Sequence, residues 1–200
     1  MTASAISHPG ARRVALRLGT ALSTAFAGTL LAVPALASTL PTGFSGASVT
    51  GTPTVVYNGG GTAATATKAT VTVSSDTLAT WTSFDVPASQ TVAFTGCSGC
   101  TVLNRVTGGT ASTIDGAITA SGMNVWLINT NGVTMSSNGT FNGGSLVLST
   151  LDDAAITLPG QIGSGSTHFN SGTGVLAMNG TITASGLIET DDSILGIPSG

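Results

Sequence analysis

The stretch DGAITASG, from Asp115 to Gly122, returns almost unchanged as NGTITASG from Asn179 to Gly186. The two copies start 64 residues apart, and a weaker echo, NGTF, lies between them at Asn138 to Phe141. A third of that separation is a step of roughly 21 residues, near the lower end of the range for stacked repeats. Tight turns and a step of this size favour a parallel β-helix, in which each coil stacks on the one before.

Apolar residues alternate with polar ones over short stretches on both sides of this repeat. Period two with β-branched enrichment is typical of strands, and clusters of Gly, Asn and Ser end each stretch after about three to six residues. We expect strands around Val71 and Val73, Val92 and Phe94, Val133 and Met135, Leu146 and Leu148, and Ile156 and Leu158. No helix is predicted after residue 37. A sandwich of antiparallel strands is the alternative fold.

Charge is scarce in this chain. Of 200 residues, five are Lys or Arg and eight are Asp or Glu, and the formal net charge is −3. Nucleic-acid binding needs a basic surface, so we expect no nucleic-acid partner. No phosphate loop or dinucleotide fingerprint follows a predicted strand, so no nucleotide or other cofactor is expected.

The first 37 residues have the layout of a secretory signal peptide. Arg12, Arg13 and Arg17 precede an uncharged run from residue 18 to 33, and Ala35-Leu36-Ala37 is a small-x-small cleavage site. A membrane anchor is the alternative, although the run is short for a span of about 20 residues. Removal of the signal leaves Lys68 and Arg105 against eight acidic residues, a formal charge of −6.

Six short blocks in the centre of the chain occur in a recognisable order. They are Trp81-x-x-Phe84, Thr91 to Phe94, Asn104-Arg105-Val106-Thr107-Gly108, Ser112-x-Ile114-x-Gly116, Val125 to Val133, and Leu146 to Asp152. Together they resemble the N-terminal two-partner secretion domain, or haemagglutination activity domain, of filamentous-haemagglutinin-type exoproteins. One position departs from that family, because Thr130 stands where its Asn-Pro-Asn-Gly signature carries proline.

The resemblance implies an all-β fold, a right-handed parallel β-helix with short capping or extra-helical strands. It also implies a domain over residues 38–188, followed by a short acidic tail over 189–200. The implied partner is an outer-membrane two-partner transporter with periplasmic domains, and the implied location is secreted or cell-surface, reached through the periplasm.

The same resemblance implies that Asn104, Arg105, Asn129, Asn131 and Gly132 contribute to secretion, by contacting the transporter or by fixing the fold that it reads. The structural alternative is that the asparagines satisfy turn backbones and Arg105 covers a coil edge.

Cys97 and Cys100 form a CxxC pair. In an exported chain a small-loop disulfide is expected, because that compartment is oxidising. A zinc site needs two further ligands, and after the signal only His168 remains as a candidate, so no metal is expected. A thioredoxin-type site needs a βαβ setting that the pattern lacks.

Two other functions compete with a secretion module. A surface adhesin that binds host or cell-surface ligands would also have a Thr- and Ser-rich exterior. A polysaccharide-active β-helix enzyme would need clustered carboxylates, and Asp152-Asp153 is an adjacent pair whose side chains point to opposite faces of a strand. We therefore expect no catalytic residues. Asn138-Gly139-Thr140 and Asn179-Gly180-Thr181 match the glycosylation pattern but are interpreted as corner turns.

Overall fold

The computed structural model describes residues 38–152, 156–157, 159–162 and 172–191, all within one unit of the chain, Ala35–Gly200. The predicted signal peptide, Asp153, His168 and the tail beyond Asp191 lie outside the described residues. Among the described residues, no helix has the length and hydrophobicity needed to cross a membrane.

Fifteen short strands and two 3-10 turns make up the regular structure of this part. The strands are β1 (Ser45–Ser48), β2 (Thr54–Tyr57), β3 (Lys68–Thr72), β4 (Thr77–Trp81), β5 (Thr91–Thr95), β6 (Thr101–Val106), β7 (Ser112–Ile114), β8 (Ala117–Ala120), β9 (Asn124–Ile128), β10 (Val133–Met135), β11 (Thr140–Gly143), β12 (Leu146–Ser149), β13 (Leu176–Met178), β14 (Thr181–Ala184) and β15 (Ile188–Asp191). The 3-10 turns are η1 (Asn58–Gly60) and η2 (Pro159–Gln161).

The strands form three sheets that the chain visits in turn. One sheet has the order β1-β4-β6-β9-β12-β15, the second β13-β10-β7, and the third β14-β11-β8-β5-β3-β2. All pairs are parallel except β1 with β4 and β2 with β3. Because consecutive strands from β3 onward lie in different sheets and return in parallel register, the predicted parallel β-helix is confirmed.

Inward side chains of successive coils occupy the same register and form apolar rows through the core. One row contains Ala69, Val92, Ile118, Phe141 and Ile182, which follow one another strand by strand. The first four are buried and the last is half-buried. The alternation seen in the sequence is thus the alternation between this core and the outside.

The coil size differs from the step that the repeated sequence suggests. Thr140 of β11 pairs with Ala117 of β8 on one side and with Thr181 of β14 on the other, so the two repeat copies lie two coils apart rather than three. The second of these steps is longer because residues 150–175 separate β12 from β13. The prediction of three coils between the repeat copies was wrong, whereas the weaker echo at Asn138 does mark the intervening coil.

The two ends of the described β-helix differ. At the amino-terminal end, antiparallel β1 and β2 cover the edges of β4 and β3, and the buried Leu40 and half-buried Phe44 and Tyr57 close the core. These are the predicted capping strands. At the other end, the inward residues of β13 and β14 are only half-buried, and Ile188 of β15 is 48% exposed.

A second apolar cluster lies on the outer face of the first sheet. Leu103 of β6 and Ile128 of β9 point away from the core, yet Ile156 and Ile162 cover them and leave them buried. The strand predicted around Ile156 and Leu158 was wrong at Ile156 and Thr157, which have no strand structure, and Leu158 lies outside the described residues. Ile156 is apolar because it packs against the outside of the sheet.

Gly116 tests whether tight coil corners limit stability. A Cβ at this position would lie closer than 3.0 Å to the carbonyl oxygens of Pro87 and Gln90, a separation that real Cβ atoms essentially never show. We expect Gly116→Ala to lower the unfolding free energy by about 1–3 kcal/mol, measured by urea denaturation. Gly109→Ala is the control, because a Cβ there meets nothing within 4 Å. Equal losses in both variants would contradict this prediction.

Candidate functional site

Asn104 is a polar residue in an otherwise apolar inward row. It lies on β6 between Ala79 of β4 and Leu127 of β9, and its side chain is fully buried. Its Oδ1 accepts a 3.0 Å hydrogen bond from Trp81 Nε1, and its Nδ2 donates to the carbonyl oxygens of Val102 and Trp126. All of its partners lie on three successive coils, so Asn104 joins these coils from inside the core.

Arg105, the next residue, points outward and holds the covering segment of the second apolar cluster. Its Nε lies 2.9 Å from Asp152 Oδ2, and its Nη1 donates a 2.8 Å hydrogen bond to the carbonyl oxygen of Ile156. The side chains of Arg105 and Asp152 are 15% and 18% exposed. Arg105 therefore fixes residues 152 and 156 over the sheet.

Asn129 organises the corner between β9 and β10. Its fully buried Nδ2 donates to the Thr110 carbonyl oxygen and to Ser112 Oγ, both at 2.9 Å. Its Oδ1 accepts hydrogen bonds from the backbone and side-chain nitrogens of Asn131. The exposed Asn131 then donates from Nδ2 to the carbonyl oxygen of Gly108 at 2.8 Å. The two asparagines together fasten this corner to the previous coil.

Gly132 closes the same corner. Its backbone nitrogen donates a 2.9 Å hydrogen bond to the Asn129 carbonyl oxygen, so the turn forms with Thr130 at the position of the family proline. The φ angle of Gly132 is +126°, which L side chains rarely adopt, and an added Cβ would lie 3.1 Å from the carbonyl oxygen of Val175 in the next coil. The backbone angle favours glycine, and a side chain here would also crowd the Val175 carbonyl oxygen.

The five predicted residues do not form one surface patch. They belong to adjacent coils. These coils are joined where the Asn131 side chain donates a hydrogen bond to the carbonyl oxygen of Gly108, the last residue of the Asn-Arg-Val-Thr-Gly block. Asn104 and Asn129 are inaccessible from outside, whereas Asn131 is exposed. The sequence pattern missed the partners Trp81, Ser112 and Asp152, because each lies at least 17 residues away along the chain.

Asp152 is one of the two adjacent carboxylates weighed for an enzyme site, and it pairs with Arg105. Its carboxylate faces Arg105, and its neighbour Asp153 lies outside the described residues. Over the ranges that the structure describes, no three His, Cys, Asp or Glu side chains group closely enough to hold a metal ion.

Cys97 and Cys100 lie at the corner between β5 and β6. Their Cα atoms are 5.8 Å apart, within the range that a disulfide spans, and the structure joins them. A hydrogen bond connects this corner to the next coil, because the backbone N–H of Asn124 donates to the Cys100 carbonyl oxygen. Formation of the bridge in the exported chain stays a prediction.

Asp85 is a half-buried acidic residue with a perturbed environment. Its Oδ1 accepts a 2.7 Å hydrogen bond from the backbone nitrogen of Thr113. Desolvation by burial raises the pKa of Asp85 above its ordinary 3.8, the Thr113 hydrogen bond opposes this, and the nearby charge of Asp115 adds to the rise. Ionisation of Asp85 is therefore less favourable in the folded chain than in the unfolded chain.

The coil architecture and the order of its motifs agree with a known protein family. The family model of the TPS secretion domain matches residues 43–192. The chain belongs to the TPS secretion domain family. The resemblance seen in the sequence is thus confirmed, and two-partner export is the family's route. No curated protein sequence matches the chain.

A solved structure supports the same assignment of this TPS secretion domain. The crystal structure of the HMW1 secretion domain from Haemophilus influenzae is similar to the chain, with a TM-score of 0.53 and 25% sequence identity. The match covers 75% of this chain and 36% of the HMW1 chain, so the chain spans about a third of the length of that relative.

The hydrogen bond between Trp81 and Asn104 should be energetically coupled. Asn104→Leu removes the acceptor and leaves the buried indole nitrogen unpaired, at an expected cost of about 1–3 kcal/mol of unfolding free energy. Trp81→Phe removes the donor. In urea denaturation, the double variant should lose less than the sum of the two single losses, by about 1 kcal/mol. Strictly additive losses would show that the bond is not a stabilising pair.

The burial of Asp85 predicts a pH dependence. Because its pKa is raised in the folded state, the folded chain binds the proton more tightly than the unfolded chain, and this stability is lost as the pH rises from about 3.8 through the folded pKa. Asn keeps an oxygen for the Thr113 hydrogen bond. We expect Asp85→Asn to be more stable than the native chain at pH 7, with the advantage shrinking as the pH falls.

Thermal unfolding at several pH values measures this effect. Asp76→Asn is the control for loss of one negative charge, because Asp76 Oδ1 likewise accepts a backbone hydrogen bond, from Thr101 at 2.8 Å. An Asp85→Asn advantage that does not change with pH would contradict the prediction.

Proposed function

We propose that this TPS secretion domain is bound by the periplasmic domains of an outer-membrane two-partner transporter and that it then nucleates folding of a secreted, adhesin-like protein outside the cell. The family match over residues 43–192 carries this proposal. The proposed role is non-enzymatic. Residues 1–37, which lie outside the described structure, are proposed as the signal that brings the chain to the periplasm.

The burial of two motif residues supports recognition before folding. In the folded domain, Asn104 and Asn129 are fully buried and all of their hydrogen bonds are internal. A transporter that reads these residues directly must therefore meet them in an unfolded chain. Extended segments offer free backbone groups to a partner sheet, so addition of a strand is the proposed mode of binding.

The closed and open ends of the β-helix support nucleation. At the amino-terminal end, β1 and β2 pair antiparallel with β4 and β3 and end the run of parallel coils. At the other end, the inward side chains of Leu176, Met178 and Ile182 are half-buried and offer an apolar surface to a following coil. Folding by coil addition would accordingly proceed from the amino-terminal end.

A secretion assay tests the transporter dependence. The full chain is produced in cells with and without its outer-membrane transporter, and the amount in the medium is measured. We expect secretion only with the transporter, and a several-fold reduction for Asn129→Ala, which loses the hydrogen bonds to Thr110, Ser112 and Asn131. Asn142→Ala is the matched control, because the side chain of Asn142 is exposed and bonded to no described residue. Equal secretion without the transporter would refute the proposal.

Binding to the isolated periplasmic domains separates recognition from folding. The chain is diluted from urea either directly into these domains or after refolding. Tight binding of the freshly diluted chain and weak binding of the refolded chain are expected. If the refolded chain binds equally well, the transporter reads a folded surface, and recognition of buried Asn104 and Asn129 is excluded.

A further inference from the structure

We propose that a polar groove on the outside of the β-helix binds a neutral saccharide. The groove has a volume of about 460 Å³ and lies where β5, β8 and β11 begin, at Thr91, Ala117 and Thr140. A volume of this size is typical of small-molecule sites. None of the five residues predicted to act in secretion lines it. The proposal concerns the folded domain and does not rest on recognition by the transporter.

Small residues in the coil of β8 create the groove. Thr91, Ala117 and Thr140 occupy one outward-facing row in parallel register, with the alanine in the middle. The alanine carries only a methyl group, and the residue before it, Gly116, has no side chain. The threonines on either side are larger, so a depression remains over the alanine and the glycine. Its floor is backbone and one methyl group, and polar side chains surround it.

The turn before β5 holds a serine in an unfavourable backbone conformation at the rim of the groove. The backbone nitrogen of Gln90 donates a 3.0 Å hydrogen bond to the Pro87 carbonyl oxygen and closes a β-turn. Ser89, the third residue of this turn, has a φ angle of +64°, where glycine is usual. Among the described residues other than glycine, Ser89 alone has a positive φ. Such strain clusters at binding and catalytic sites, and here it places the exposed Ser89 at the groove.

Gln90 has a buried acceptor whose hydrogen bond is not made within the described part of the chain. Its backbone nitrogen and oxygen bond Pro87 and Ala117, but its side-chain Oε1 is buried without a hydrogen-bond partner among the described residues. A buried acceptor without a donor destabilises a fold, and native proteins rarely keep one without a reason. Gln90 as a whole is only half-buried and lines the groove. Rotation of its flexible side chain toward the groove lets Oε1 accept a hydrogen bond from a bound ligand.

The charges at the groove are negative and disfavour an acidic ligand. Asp115 is the charged residue of the lining and is half-buried. Asp85 lies close enough for the charge of Asp115 to contribute to its raised pKa, so a second carboxylate acts on the same region. Like charges repel more strongly where the dielectric is low, so phosphate, sulfate and carboxylate groups are disfavoured. The two alanines of the lining offer little apolar surface, which disfavours an apolar ligand as well.

Mixed donors and acceptors in the lining favour hydroxyl groups over an amine. Ser89, Thr91 and Thr140 carry hydroxyls, and the Gln90 amide has a nitrogen that donates and an oxygen that accepts. A saccharide hydroxyl also donates and accepts, whereas an ammonium group only donates and would leave the donors of the lining unpaired. In the bound state, Asp115 and Gln90 Oε1 accept hydrogen bonds from the saccharide, and Gln90 Nε2 donates one to it.

The number of coils at the groove sets the length of saccharide that fits. The groove spans the first residues of three strands, β5, β8 and β11. Neighbouring strands lie about 4.8 Å apart, which is close to the length of one sugar unit in an extended chain. A chain of three sugar units that runs along the axis of the β-helix therefore covers the groove.

An array of immobilised glycans, probed with the full chain, tests the proposal. The array carries neutral, sialylated and sulfated oligosaccharides of increasing length, and calorimetry then measures the affinity for those that bind. We expect binding of neutral glycans only, with an affinity that rises up to three units and no further. Absence of binding to every neutral glycan, or a preference for acidic ones, would overturn the proposal. Spermidine is tested in parallel, and binding of spermidine without binding of any neutral glycan would show a cation site instead.

Gln90→Leu separates ligand binding from stability. It removes the amide together with the buried Oε1, so we expect binding at least about tenfold weaker, with an unfolding temperature that is unchanged or higher. Thr183→Val is the matched control and should bind like the native chain, since Thr183 is exposed on β14 of the same sheet and does not line the groove. Native affinity in Gln90→Leu would overturn the proposal.

Asp115→Asn is a second and independent variant. It keeps an acceptor oxygen but loses the charge, so neutral glycans should bind within about tenfold of the native affinity, while acidic glycans gain affinity. Complete loss of neutral-glycan binding in a folded Asp115→Asn chain would show that charge attraction holds the ligand, and this result would also overturn the proposal.

Discussion

The parallel register between coils is the constraint on which the rest of this domain depends. Each inward side chain lies directly over the corresponding side chain of the next coil, as Val102, Val125 and Leu146 do. A slip of one residue would turn outward threonines into the core and apolar residues into solvent. Because each coil of a β-helix contacts only its neighbours, the corners and a few buried polar groups have to keep the coils aligned.

Asn104 and Asn129 meet this need from inside the molecule. A buried amide without partners destabilises a fold, so each of these side chains favours the one register in which its hydrogen bonds are made. Asn104 requires the indole of Trp81 on the preceding coil, and Asn129 requires Thr110 and Ser112. Arg105 acts in the same way on the outside, where it fixes the Asp152 region over an apolar face. The motif residues proposed to act in export would then act through the register.

The sequence predicts this architecture well where the signal is local. Alternation around Val71, Val92 and Leu146 marks real strands, and the repeat marks real corners. The number of coils between the repeat copies was not predictable from spacing, because residues 150–175 lengthen one step. Partners such as Trp81 for Asn104 and Asp152 for Arg105 depend on register and on a segment that returns over the sheet. The residues next to these positions in the sequence do not indicate either contact.

The Cys97–Cys100 bridge is different in kind from a bridge between coils. It joins residues only three positions apart. A disulfide over so few residues hardly shortens the extended chain. A disulfide between coils would instead close a long loop, in which two segments of the chain lie side by side. The bridge would consequently add no more than a four-residue ring to the width of the extended chain, and it would set the corner between β5 and β6 before the coils form.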